Sequence, residues 1–120
     1  MAAPDAIAPD GSEIRLLVTG AARAGLVEVT LPAGAVSRPV RHRTVEEIWF
    51  FLAGQGTVWL EGKITAVAPG SRVVIPAGAG FQFAAEAGAA LRFLCYTSPP
   101  WPGAHEAEPV AAGGLGPATV

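Results

Sequence analysis

The sequence predicts an all-β protein, one domain built as a sandwich or barrel of short strands. Three observations carry this expectation. Short apolar runs rich in branched residues recur along the chain. Turn residues punctuate them at close to the spacing of about 8–12 residues expected of such folds. No segment keeps a helical period over three turns. With 15 Gly and 11 Pro in 120 residues, turns are frequent and long helices disfavoured. A chain of this length has room for one core. Hydrophobic residues make up 51% and charged residues 15%, against a usual charged share of about 25%, so the middle of the chain is expected to fold. Alanine accounts for 24 residues, which leaves the core to Val, Leu, Ile and Phe.

Each element has its own signal. Residues 1–12 are small, polar and proline-bearing, and read as a loose arm. Glu13–Thr19 and Gly25–Leu31 are strand runs; in the second, Leu26, Glu28 and Thr30 alternate with Val27, Val29 and Leu31. Pro32-Ala33-Gly34 ends it. Glu46–Leu52 is a strand, and Gly54-Gln55-Gly56 after it is a hairpin signal. Thr57–Leu60, Ile64–Ala68, Ser71–Ile75, Phe81–Ala85 and Leu91–Thr97 follow, separated by Glu61-Gly62-Lys63, Pro69-Gly70 and Pro76-Ala77-Gly78. Gly54, Gly56, Gly70 and Gly78 are expected at turns that need a positive φ or a close backbone approach. The core domain thus spans residues 13–97. Residues 98–110 hold Pro99-Pro100-Trp101-Pro102-Gly103, which no central strand accepts. Trp101 there is expected to pack either on the barrel mouth or on a second subunit. Residues 111–120 are Ala/Gly/Pro-rich and read as a mobile tail.

Charge and cysteine content exclude several function classes. Eight basic residues against ten acidic ones make no footprint for nucleic acid. No run of apolar residues is long enough to span a membrane. The segment MAAPDAIAPDGSE has no basic start and no apolar stretch, so no secretory signal is expected. The single cysteine, Cys95, excludes an internal disulfide and is expected to be a buried, inert thiol. A soluble, cytoplasmic protein is the resulting expectation.

Two sets of residues have spacings that turn chemistry does not require. Gly34, Val40-Arg41-His42, Glu47 and Gly54 form the first; Gly70, Pro76, Gly78, Phe81 and Ala85 form the second. Their pattern resembles the cupin superfamily over about residues 25–97. The resemblance implies a single-domain, jelly-roll β-barrel and, as in many cupins, a homodimer. It also implies where a metal would lie. Metal-binding cupins hold one ion with three His and one Glu, and only His42 and Glu47 remain here. Val40 and Phe81 stand at two of the His positions and have no lone pair to offer. Gln82, Cys95 and His105 are the nearby residues whose type could replace them. The stretch VRHRTVEEIWFFLAGQGTVW, with FQF and TSPPWPG, also resembles a subset of small cupins that lack the same two His. No cofactor is therefore expected, beyond a weak divalent metal on His42 and Glu47.

Strand alternation fills in the cavity. If Glu47 points inward, so do Trp49 and Phe51; if residue 81 does, so does Phe83, and Gln82 points away. Trp59 is a further candidate wall residue, its face open. Glu46 is expected to be solvated. Arg41 and Arg43 flank His42 and serve either as a surface pair or as an anchor for an anionic substrate. Apolar aromatic walls are equally what a small barrel needs for its core.

A histidine beside a carboxylate in an apolar chamber suits proton transfer next to a carbonyl. The leading expectation is a metal-independent dehydratase, isomerase or cyclase acting on a small biosynthetic intermediate. His42 would be the base or acid and Glu47 its partner. Two alternatives stand beside it: a weak-metal lyase or oxygenase using His42 and Glu47, and a non-catalytic cupin that binds a small molecule. A relic pair, hydrogen-bonded and inert, is the bland counterpart of all three.

Overall fold

The computed structural model describes residues 3–120. Its strands are β1 (Ala6–Ile7), β2 (Glu13–Val18), β3 (Gly25–Leu31), β4 (Val40–His42), β5 (Glu46–Ala53), β6 (Gly56–Leu60), β7 (Lys63–Val67), β8 (Arg72–Ile75), β9 (Phe81–Ala85), β10 (Leu91–Ser98) and β11 (Ala107–Pro109). A single 3₁₀ turn, Ala104–Glu106, precedes β11. The strands form two antiparallel sheets, ordered β1-β2-β3-β10-β5-β8 and β11-β4-β9-β6-β7. The sheets face each other in jelly-roll fashion and are not joined by strand hydrogen bonds, so the barrel is a sandwich open along its seams. No helix among the described residues is long and apolar enough to cross a membrane.

The eight long strand runs expected from the sequence are present, with ends shifted by a residue or so. Alternation sets their faces. In β5, Glu47, Trp49 and Phe51 are buried while Glu46, Ile48 and Phe50 are exposed. Between the sheets, Trp49 packs on Phe81, Phe83 and Phe93 with ring centroids 4.4–5.4 Å apart. Leu31, Ile75, Leu91 and Val58 complete this core. The hairpin between β5 and β6 needs both its glycines. Gly54 has φ 79°, and a side chain on Gly56 would strike the Ala84 carbonyl.

Both termini depart from the sequence expectation. The segment expected to be a loose arm forms β1, pairs with β2, and buries Asp10 and Ser12. The segment expected to be a mobile tail lies along the outer face of the second sheet. There Gln82 Nε2 donates to the Gly116 carbonyl, Leu115 N donates to Gln82 Oε1, and Thr119 N donates to the Val36 carbonyl. Backbone groups with no helix or sheet partner of their own find one on a neighbouring strand edge or side chain.

Candidate active site

His42 and Glu47 meet inside the sandwich because β4 and β5 are joined by a tight turn that turns both side chains inward. That turn is pinned by a residue 59 positions beyond Glu47. The buried Glu106 carboxylate accepts from Thr44 N, Val45 N and Thr44 Oγ1, and the Glu106 carbonyl accepts from Arg43 N. Burial pushes the Glu106 carboxyl up, but these bonds outweigh it and hold the group below its ordinary value. On the other side of β4, Gly78 N donates to the His42 carbonyl.

His42 Nδ1 lies 3.4 Å from Glu47 Oε2. The two groups are close enough to interact as charges, yet they are not aligned as a hydrogen bond, and buried Nδ1 has no hydrogen-bond partner. Glu47 Oε1 is better served: Trp49 Nε1 donates to it at 2.8 Å. The buried Cys95 thiol lies on the same cavity wall. Burial raises the Glu47 carboxyl above its usual range, and the charges and donors of His42, Trp49 and Cys95 offset only part of the rise. Burial, then the nearby Glu47 charge, push the Cys95 thiol well above its ordinary value, so it stays protonated.

The pair faces a narrow cavity of about 30 Å³, room for about two water molecules. Its walls include Val27, Val29, Val40, Trp49, Phe83 and Phe93. Half-buried Trp101 also lines it, and its backbone N–H donates to Thr97 Oγ1. Asp10 and Ser12, from the turn between β1 and β2, close the same cavity.

The profile of the cupin domain family matches residues 27–97. This chain is a cupin. The uncharacterized protein MJ1618 of Methanocaldococcus jannaschii is 30% identical over 104 residues, 83% of this cupin and 82% of that protein. Among solved structures, the polyketide cyclase RemF from Streptomyces resistomycificus superposes with a TM-score of 0.71 at 25% identity, over 93% of this chain and 78% of that one. KdgF from Halomonas sp. does so with a TM-score of 0.71 at 21% identity, over 82% and 86% of the two chains. The nucleoside dehydratase Pac13, from Streptomyces, gives 0.69 at 12% identity, over 84% and 79%.

The donor set of this cupin does not fit a tightly held metal. Among the described residues, no group of three His, Cys, Asp or Glu side chains is arranged to hold an ion. The three possible replacements fail individually. Gln82 turns to the outer face and is consumed by the Ser37 and Gly116 carbonyls and Leu115 N. Cys95 is not grouped with His42 and Glu47 so as to hold an ion, and His105 is exposed on the 3₁₀ turn. A usual catalytic zinc or iron site needs three protein ligands.

Other expected site residues are partly relocated. His42, Glu47, Trp49 and Phe83 line the cavity. Phe81 and Phe51 sit one layer behind it as buried packing, Phe81 against His42 and Trp49, Phe51 against Trp49 and Phe93. Trp59 is corrected from wall to outer surface. It lies opposite Gln82 on the outward face of β6, because strand alternation puts Val58 inside, and Gly114 covers it. Arg41 and Arg43 are corrected from anchors to a surface pair. Both are exposed, and both reach Glu108, at 3.9 and 2.8 Å. Two site residues lay outside the sequence reading. Asp10 had a signal, since Asp-Gly-Ser before a strand is a turn in which Asp bonds the residue two positions on. Glu106 had none.

Proposed function

We propose that this cupin is a metal-independent acid–base enzyme that acts on a small, uncharged carbonyl compound. The observation that carries this reading is the buried His42–Glu47 pair on the cavity wall, with Nδ1 3.4 Å from a carboxylate oxygen. With Nδ1 turned to the Glu47 carboxylate, the imidazole can take a proton at its other ring nitrogen, Nε2, from carbon next to a substrate carbonyl. Glu47 stabilises the imidazolium that forms. Val29, Trp49, Phe83 and Phe93 keep water from competing. Elimination, isomerisation or ring closure can follow, and the names of the neighbouring cyclase and dehydratase support this reaction class. Among the described residues, no Lys or Arg lines the cavity, while Asp10 and Glu47 do, which disfavours anionic substrates.

The same reading takes the enzyme as a cytoplasmic homodimer. Tyr96, Ile48 and Val74 form a cross-strand row on the outer face of the first sheet, with Phe50 beside it, and all four are exposed. A second copy of the chain is the occupant proposed for this apolar row.

The test uses chelator-treated protein and uncharged methyl ketones in D₂O, with loss of the α-proton signal followed by NMR. The wild type is expected to catalyse exchange and His42→Gln to lose it. Full exchange by His42→Gln overturns the reading, as does a divalent metal retained near one per chain after loading. A ketone that binds without exchange selects the non-catalytic alternative.

A further inference from the structure

We propose that Asp10 is a second catalytic residue of this site, the acid that protonates the oxygen leaving from an uncharged β-hydroxycarbonyl substrate. The inference rests on the acid–base reading of His42 and extends it to the residue that completes the reaction.

Asp10 comes from the N-terminal hairpin and reaches the same cavity as His42 and Glu47 from a different side. Its carboxyl is buried, and its charge interacts with that of His42. Both Ser12 donors, the backbone N–H at 2.9 Å and the hydroxyl at 2.6 Å, fall on Oδ1. Oδ2 is therefore the oxygen suited to carry a proton to a ligand. The turn that presents it is held on every side. Gly11 N donates to the Ala8 carbonyl, Ala8 N to the Ser12 carbonyl, and Arg38 N to the Asp10 carbonyl. Val120 packs on Gly11 so closely that a side chain there would collide with it.

The electrostatics agree with the geometry. Burial raises the Asp10 carboxyl above its ordinary value, and the Ser12 hydrogen bonds and the charges of His42 and Arg38 only partly offset it. The Asp10 charge in turn raises Glu47 and Cys95. One imidazole beside two buried carboxyl groups gives the cavity a base and two candidate acids.

The step balances as a dehydration. His42 Nε2 takes the proton from the carbon between the carbonyl and the hydroxyl-bearing carbon. The electron pair of that C–H bond forms the C=C bond as the C–O bond breaks. The Asp10 carboxyl gives its proton to the departing oxygen, and water leaves. The proton on His42 then returns to Asp10 through solvent, restoring both groups.

The test compares two probes on the wild type, Asp10→Asn and His42→Gln. The first is hydroxyethyl methyl ketone, whose hydroxide leaving group needs a proton. The second is its p-nitrophenyl ether, whose phenolate leaves without one. Asn keeps the Oδ1 acceptor for Ser12, so the turn survives. Asp10→Asn is expected to slow the hydroxy ketone by about 100-fold or more, the usual range for a general acid, and to change the ether by less than about 3-fold. His42→Gln is expected to lose both. If Asp10→Asn slows both probes alike, or neither, Asp10 is not the acid. If the wild type turns over neither probe, or His42→Gln turns over both, the failure belongs to the underlying reading of His42.

Discussion

Replacing Trp49 with Phe removes one N–H and leaves an aromatic ring to fill most of the same space. Trp49 is 1% exposed, stacks on Phe93 at 4.4 Å and donates Nε1–H to Glu47 Oε1 at 2.8 Å. A hydrogen bond to a charged group contributes about 1.5–3 kcal/mol. The smaller ring leaves a void worth about 1 kcal/mol more. The sum, about 3 kcal/mol, lowers Tm by about 10–15 °C in a domain of this size. A double-mutant cycle with Glu47→Gln isolates the charged part of the bond, because Gln can still accept from Nε1 as a neutral group. Urea unfolding of the four proteins is expected to give a coupling of about 1 kcal/mol at high pH. The sign with pH follows from Glu47, whose carboxyl is raised by burial and eased by this donor. Losing the donor raises it further, so Trp49→Phe destabilises more above the Glu47 pKa than below it. A coupling under about 0.5 kcal/mol at every pH would refute the claim that Trp49 holds the charge of Glu47.

Other outcomes follow from the same contacts. The Asp10 carboxyl is raised by burial, so the stability it allows is greatest at low pH and is lost as pH rises through its folded pKa. Asp10→Asn is expected to melt higher than the wild type at pH 8 and near it at pH 3; a lower Tm at pH 8 contradicts this. Glu106 is lowered by its bonds to Thr44 and Val45, so its contribution is present above the unfolded value and lost as pH falls. Glu106→Ala is expected to cost about 3 kcal/mol at neutral pH by urea unfolding, and little in acid. Alanine at Arg41 and Arg43 together is expected to leave kcat/KM within about 2-fold, since surface ion pairs contribute little; a larger loss would return them to the site. Ile48→Glu is expected to give monomers in sedimentation, and a dimer that survives it excludes the outer face of the first sheet.

The sequence by itself determined the strands and the half of the site that lies on them. Alternation along β5 and β9 put Glu47, Trp49, Phe51 and Phe83 inside, and glycine and proline spacing marked the turns between strands. These signals are local: each is read within one strand or one turn. The pairing of His42 and Glu47 was legible too, since they are the motif residues left where Val40 and Phe81 stand at the other positions. Only the tertiary structure decided the rest. Strands of two or three residues, such as β1, β4 and β11, are too short to show a period, and they exist because a neighbouring strand supplies their hydrogen bonds. Gln82 and Trp59 carry no mark of the tail that covers them. Asp10 and Glu106 enter the site from opposite ends of the chain, 32 residues before His42 and 64 after it. No pattern in the sequence between them records that meeting, because it is made by how the two sheets and their edges pack.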